Sequence, residues 1–351
     1  MAGRVVVFGW AESAHVQRWT AAMVARGFEV RLISLGGQPL ACCETFCLPR
    51  KSRWSYLTQV REAAKLAREF RPDLVHVHYA GGFSYWGLRS RVKPLIVSVW
   101  GADVIDLPGN TPKQWFIRFA LKRATRITAT SRFLRGRTIN LLPEAAAKTE
   151  VIPFGVDVPS EIATPPDGPV RLCYIKSHRP KYGPDILLKA MARVRETIPD
   201  VTLSLAGRGE MTEELKQLAK DLRLEDAVDF TGFVPNAEIY SFIRRHHIMV
   251  MPSVMESESF GVAVLEASAC GRPVIASRIG GVPEVLENGQ TGILVPPDDV
   301  DSLAGAILDL ANRPEKREKI GRNGYEFVRE HYGWNVSVDK MTALYEELIG
   351  G

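Results

Sequence analysis

Short apolar runs alternate with segments of helical period along almost the whole chain, and one proline-rich stretch interrupts that alternation once. Residues 4–8, 29–34, 74–78, 95–99, 126–129 and 151–153 read as short strands. Strands that are apolar throughout have to be buried on both faces, which is the mark of a parallel sheet. Between them lie helical stretches such as 14–26, where Val16, Trp19, Ala22, Met23 and Val24 fall at helical spacing ahead of Gly27. Pro153, Pro159, Pro165, Pro166 and Pro169, with Gly155 and Gly168, then form the clearest linker signal in the chain. After it the alternation restarts, with strands predicted at 170–175, 202–207, 228–231, 248–252, 273–276 and 292–295. Helices are predicted at 185–196, 212–221, 236–244, 261–270, 300–311, 314–330 and 334–348. This pattern specifies an α/β protein: two Rossmann-like doubly wound parallel-sheet domains facing across a cleft, with ligands beyond the carboxyl ends of the strands. The 351 residues are enough for two domains, taken as 1–158 and 159–332, with 333–351 as a helix crossing back to the first.

The charge is unevenly divided. Lys and Arg number 45 and Asp and Glu 40, a net of +5. Residues 1–158 carry 23 basic and 11 acidic side chains, a net of +12, while 159–351 carry 22 and 29, a net of −7. The excess is densest over 113–137, which holds eight basic residues, and no acid occurs between Asp106 and Glu144. There Trp115, Phe116, Ile117, Phe119 and Leu121 interleave with Lys113, Arg118, Lys122 and Arg123. Such a segment can rest on an anionic bilayer. Phe116, Phe119 and Ala120 also fall at core-facing spacing, and the spacing favours a helix covering the sheet. No nucleic-acid-binding module accompanies the charge, so no nucleic acid partner is expected.

Other classes are excluded more simply. No run of about 18 apolar residues could span a membrane. The apolar stretch after the N-terminal Met-Ala-Gly-Arg is too short for a signal-peptide core, so the protein is read as cytoplasmic. The five cysteines, with Cys42, Cys43 and Cys47 clustered, lack the paired spacing of a zinc site or disulfide framework. His76 and His78 share one face of a strand without a third ligand nearby, so no metal is assigned. There is no G-x-x-x-x-G-K-[ST] loop, and the first strand is followed by Gly9-Trp10-Ala11-Glu12-Ser13, with one glycine where a dinucleotide fingerprint needs three.

The most informative stretch runs from Met251 to Val274. A strand ends near Pro252, a polar loop follows, and a helix begins near Gly261. The free N–H groups of a first helical turn suit a diphosphate. Glu258 precedes that turn, and Glu266 lies about 12 Å further along a helical axis. Two carboxylates so separated can grip different hydroxyls of one extended ligand. Without further context, Glu258 would cap the helix and Glu266 would be a solvated helix residue.

The context is a series of motifs in order: Glu258-Ser259-Phe260-Gly261, Glu266-Ala267, Gly271-x-Pro-Val-Ile275, Gly280-Gly-Val-Pro-Glu284 and Gly289-x-Thr-Gly292. This series resembles the retaining nucleotide-sugar glycosyltransferases of family 4, which have the two-domain GT-B fold. Phe154-Gly-Val-Asp157, Ala206-Gly207-Arg-Gly209 and Thr231-Gly-Phe233-Val234 resemble further motifs of that family. The resemblance covers nearly the whole chain and is densest over 151–295. It implies a second domain that binds a nucleoside diphosphate sugar and a first domain on the acceptor side. The donor base would be uridine first and guanosine second, and the acceptor an unspecified hydroxyl. Glu258 would hold the sugar, Glu266 the ribose, and groups at Gly207, Phe233 and Val234 the nucleotide. Ser259, Phe260, Gly261 and Val262 would form the donor-facing start of the helix. Retention would have the acceptor attack from the leaving-group face, with a donor phosphate oxygen taking its proton.

Two cations match the positions that the family devotes to the diphosphate. In Ile175-Lys176-Ser-His178-Arg179-Pro-Lys181-Tyr-Gly183, Lys176 stands where the family usually has Arg, and Lys181 stands before Tyr-Gly. Both supply point charges; a solvated basic loop is the alternative. With those charges and helix N–H groups on the phosphates, no metal or other cofactor is required. The first domain departs further. His15 matches a histidine that follows the first-strand loop in relatives, and packing or capping is its other reading. Trp100 occupies the place of a second family histidine, and Asp103 is the candidate for a sugar contact or a hydrogen bond to His15. The expected activity is a retaining glycosyltransferase. The alternatives are a nucleotide-sugar epimerase on a similar scaffold and a non-catalytic membrane- or nucleic-acid-binding relative. The basic excess predicts an anionic or lipid-linked acceptor, or an anionic membrane surface at the inner face.

Overall fold

A computed structural model describes residues 3–351 except 53, 108 and 110. It divides into two compact units, the first Met1–Pro153 with Ser337–Gly351 and the second Phe154–Val336. The chain leaves the first unit before the anticipated boundary because Phe154 packs against Phe260 and Val156 pairs with Gly333, all in the second unit. It returns within the helix Trp334–Gly350.

The first unit is built on seven strands: β1 (Arg4–Phe8), β2 (Glu29–Leu35), β3 (Glu44–Leu48), β4 (Leu74–His78), β5 (Leu95–Val99), β6 (Arg126–Ala129) and β7 (Thr149–Val151). Their order is β3-β2-β1-β4-β5-β6-β7, and all pair in parallel. Val5 to Phe8 are fully buried because helices cover both faces of the sheet. The helices start where the sequence supplies caps: Ser131 Oγ accepts from the Leu134 N–H at 3.0 Å and opens Arg132–Leu141. The edge strand β3 contains Cys47, in a segment that the sequence left without an element. It pairs on one side only, with Arg31 joined to Glu44 at 2.6 Å, and a half-exposed edge strand lacks the apolar run that betrays a central one.

A buried polar chain crosses this sheet. His76 Nδ1 lies 2.6 Å from the Tyr345 hydroxyl, His76 Nε2 lies 2.6 Å from Ser98 Oγ, and Ser98 Oγ lies 2.6 Å from Thr128 Oγ1. It ties the C-terminal helix to β4, β5 and β6. Burial, reinforced by neighbouring His78, holds His76 well below its ordinary pKa. Burial and then His15 push His78 down to about 3.

The second unit has β8 (Arg171–Ile175), β9 (Thr202–Ala206), β10 (Val228–Gly232), β11 (Ile248–Met251), β12 (Val274–Ser277) and β13 (Ile293–Val295), in the order β10-β9-β8-β11-β12-β13. All neighbours are again parallel. The strand order reverses between β1 and β4 in the first unit and between β8 and β11 in the second. Crossover helices depart to opposite sides at such points, leaving a crevice at the carboxyl ends. Among the described residues no helix is long and apolar enough to cross a membrane.

The buried imidazoles make the first unit acid-sensitive. An unfolded histidine gains its proton near pH 6.5, whereas folded His78 resists protonation down to about pH 3. Stability is therefore full above pH 6.5 and falls between about 6.5 and 3, by about 1.4 kcal/mol per pH unit for the His78 ring, and His76 adds to the loss in the same direction. Urea melts of wild type and His78→Phe across that window should show the smaller pH slope in the variant; identical slopes would contradict this account.

Candidate active site

Two opposite charges meet at the reversal point of the second sheet. Lys176 directly follows β8, and Glu258 lies in the loop that leaves the neighbouring β11. Lys176 Nζ donates to Glu258 Oε1 at 3.3 Å and lies 3.0 Å from Oε2, where the angle makes no hydrogen bond. Glu258 is 7% exposed. Burial works against the Lys176 charge, but Glu258, then Tyr182 and at longer range Glu266, outweigh it and hold the ammonium above its ordinary pKa. The amine stays charged at every physiological pH. Tyr182, which the sequence reading passed over, gathers the cations: Lys176 Nζ lies 5.0 Å and Lys181 Nζ 4.9 Å from its ring centroid. The Lys181 carbonyl accepts from the Val254 N–H at 2.9 Å, tying this basic loop to the loop that carries Glu258.

Close backbone contacts fix both loops. At Gly207 a β-carbon would lie 1.9 Å from the Lys176 carbonyl oxygen, and φ is +137°, so no other residue fits. The Lys176 N–H donates to the Ala206 carbonyl at 3.2 Å, and the His178 N–H to the Arg208 carbonyl at 3.1 Å. On the far side of Glu258 the Gly280-Gly281 pair performs the same task. β-carbons there would come within 2.1 Å of the Glu258 carbonyl and 2.0 Å of the Ser259 carbonyl, and the Gly281 N–H donates to the former at 3.1 Å. The helix Val262–Ala269 then begins from Gly261, with no side chain capping it. Its first N–H groups have no partners within the helix. Glu266 is half-buried on that helix.

Beside Lys176 opens a cavity of about 480 Å³ at the carboxyl ends of β8, β9 and β10, lined by Lys176, Ser177, Gly207, Arg208, Phe233 and Val234. Phe233 is 69% exposed there. Four residues named from sequence thus share one cavity, whereas Glu258, Glu266 and Lys181 lie outside its lining. Ser259 and Phe260 are buried, and Phe260 packs on Phe154 and Tyr332 at 6.1 and 5.9 Å between ring centroids. The Phe260 side chain anchors the loop and is not presented to a ligand. Val262 is half-buried at the helix start.

In the first unit the named residues cluster at the carboxyl ends of β4 and β5. The His15 ring meets Trp100 edge-on at 5.9 Å, and Trp100 lies 5.0 Å from the His78 ring. His78, adjacent to both, was not singled out for this site from sequence. Asp103 requires a correction: it is fully buried, and its carboxylate accepts from the N–H groups of Ala80 at 2.8 Å, Trp100 at 3.1 Å and Gly101 at 2.8 Å. Burial raises its pKa against those bonds. It positions the loops after β4 and β5 and has no surface with which to touch a sugar.

Two doubly wound parallel-sheet units of this kind define the GT-B class. Comparison with known proteins agrees. A family model described as "Glycosyl transferases group 1" matches residues 160–327, and one described as "Glycosyl transferase 4-like" matches residues 4–131. The chain is 30% identical over 311 residues to a D-inositol 3-phosphate glycosyltransferase of Kribbella flavida, covering 78% of this chain and 70% of that protein. It is 31% identical over 249 residues to the GDP-mannose-dependent alpha-(1-6)-phosphatidylinositol monomannoside mannosyltransferase of Mycolicibacterium smegmatis, covering 65% of this chain and 64% of that protein. Among solved structures, Anabaena HepE in complex with UDP superposes with a TM-score of 0.84 at 20% identity, over 98% of this chain and 100% of that one. Sucrose-phosphate synthase of Thermosynechococcus elongatus gives 0.84 at 21% identity, over 99% of both chains. The chain belongs to the group 1 glycosyltransferases of family 4, a class that uses nucleotide sugars.

Gly207 offers a direct check on the site. Gly207→Ala forces the Lys176 backbone away, so the variant should lower the stability of the second unit and leave the first intact. A melt of the second unit identical to wild type would contradict the close approach.

Proposed function

We propose that the chain transfers a sugar, with retention at the anomeric carbon, from a uridine or guanosine diphosphate sugar to an acceptor hydroxyl. The observation that carries this reading is the Lys176–Glu258 pair beside a cavity containing Gly207, Phe233 and Val234. In the proposed complex the base enters that cavity, and the ribose lies outside it, where Glu266 holds its hydroxyls. The diphosphate meets Lys176, Lys181 and the N–H groups that follow Gly261. As the bond from the anomeric carbon to the diphosphate breaks, negative charge grows on the leaving phosphate, and fixed cations aimed there lower the barrier. The acceptor oxygen forms its bond from the same face, and its proton passes to a donor phosphate oxygen. Glu258, released from part of its contact with Lys176 by the incoming phosphate, holds sugar hydroxyls and orients the ring. No step calls for a metal.

The donor bases draw support from different relatives: the Mycolicibacterium relative is named GDP-mannose-dependent, and the Anabaena neighbour was solved with UDP and with UDP-glucose. On the acceptor side, the +12 of residues 1–158 supports an anionic or lipid-linked hydroxyl compound. His15 and Trp100 are the residues proposed to meet the sugar or acceptor there. The five free thiols support a reducing compartment, and we place the enzyme in the cytoplasm at an anionic membrane face.

A thermal-shift panel of UDP, GDP and their sugars tests the donor. A nucleotide at a hundred times its Kd adds about 2.7 kcal/mol of stability, so the cognate base should raise the melting temperature of the second unit and the others should not. No shift with any nucleotide would remove the reading.

The roles are tested by donor hydrolysis and transfer in Lys181→Ala, Glu266→Ala and Glu258→Gln proteins. Each should lose about a hundredfold or more in kcat or kcat/KM. Glutamine is chosen at 258 because it keeps the volume and an amide oxygen that can accept from Lys176; it still removes the charge that balances Lys176, so the melting temperature is measured beside the activity. Full activity in all three would refute the mechanism, and epimerisation of the donor without acceptor would replace it.

A further inference from the structure

The helix Pro112–Arg123 covers the sheet, but it buries only part of the face that its sequence suggested. Ile117, Ala120 and Leu121 go into the core, whereas Phe116 is half-buried, Phe119 is 49% exposed and Trp115 is 69% exposed. Trp115, Phe119 and Arg123 recur at every fourth position and so form one outward stripe. Arg118 and Lys122, one turn apart, flank it, and the Arg123 guanidinium lies 5.2 Å from the Phe119 ring centroid. Of Lys113, Arg118, Lys122 and Arg123, only Lys122 forms an ion pair among the described residues, with Glu144 at 3.1 Å.

Beside this stripe lies a second cavity, of about 530 Å³, whose walls include Leu88, Val92, Leu95 and Phe116. Its rim carries Arg89, Arg91, Lys93 and Arg123, all exposed, and no acidic residue. The end of the helix Pro112–Arg123 accounts for some of the charge: Lys93 donates to the Arg123 carbonyl, and Lys148 donates to the carbonyls of Lys122 and Ala124 at 2.7 and 2.8 Å. Arg89 and Arg118 are not used in this way. The cavity opens at the amino end of β5, the end of the sheet opposite His78 and Trp100. It is therefore separate from the cluster of His15, His78 and Trp100.

We infer that this face seats the protein on an anionic phospholipid bilayer. Arg89, Arg91, Arg118 and Arg123 pair with lipid phosphates, Trp115 and Phe119 enter the interfacial layer, and the apolar cavity takes the upper part of one acyl chain. Charge complementarity selects an anionic surface. The apolar depth lined by Leu88, Val92 and Leu95 behind the exposed rings suits an acyl chain, and an oligonucleotide that bound more tightly would argue for stacking on Trp115 and Phe119 instead. The inference deepens the acceptor side of the proposed function but rests on the first unit alone.

Co-sedimentation of the full-length protein with phosphatidylcholine vesicles, with and without phosphatidylglycerol, tests it. Wild type should bind only the anionic vesicles, with the Trp emission shifted to the blue and the binding weakened by salt. Trp115→Ser/Phe119→Ser and, independently, Arg89→Glu/Arg118→Glu should each lower partitioning by about tenfold, with melting temperature and nucleotide binding retained. Retained nucleotide binding separates failure of this inference from failure of the donor reading. If the aromatic variant does not fold, the charge variant decides alone. Equal binding to both kinds of vesicle, anionic binding unchanged in the variants, tighter binding to an oligonucleotide, or a dimer that the aromatic variant dissolves without vesicle binding would overturn the inference.

Discussion

Lys176 and Glu258 can meet only because β8 and β11 are neighbours at the point where the strand order of the second sheet reverses. Their loops leave the sheet side by side and bring opposite charges to 3.0 Å in a mostly buried setting. A pair so placed must be completed by its surroundings, because charge withdrawn from water is costly unless fully compensated. The loops at 207 and 280–281 do this by approaching so closely that a β-carbon would collide with a carbonyl oxygen. The glycines therefore act through the charges: they let the backbone close around a cation and a carboxylate that would otherwise be solvated.

The two units handle charge in opposite ways. At the carboxyl ends of the first sheet the ionisable groups are kept neutral or used up: His76 and His78 are held below their ordinary pKa by burial, and Asp103 is spent on three backbone N–H groups. Much of its positive charge lies on the helical exterior instead, around Trp115 and Phe119. The second unit is acidic in sum, yet it gathers Lys176 and Lys181 about one tyrosine ring at the sheet's switch point. A diphosphate is drawn to local potential rather than to net charge, so the two arrangements are compatible with one enzyme.

Much of this was legible beforehand. The alternation of apolar runs and helical periods gave both parallel sheets, because strands buried on two faces need continuous apolar runs. What escaped were elements whose environment is one-sided or long-range. The edge strand β3 pairs on one side and keeps a mixed sequence. Phe119 fits a core-facing period, but the rotation of its helix buries Ile117 and Leu121 instead. Asp103 has the chemistry of a ligand contact, and only the fold shows its oxygens already committed. Tyr182 gave no signal, because a tyrosine between two lysines is ordinary until their ammonium groups are seen about its ring.

The residues by themselves determined the class, since the ordered series from Phe154 to Gly292 carries the family resemblance, and Glu258, Glu266, Lys176 and Lys181 can be named without coordinates. Tertiary structure alone decided which of them meet. Lys176 reaches Glu258 across 82 residues of chain, and Gly207 closes on Lys176 through a backbone approach that no spacing rule encodes. It also decided which aromatic residues face outward. Local sequence sets periodicity and charge, but contact between distant segments depends on strand order and helix rotation, which are settled by the packing of the whole unit.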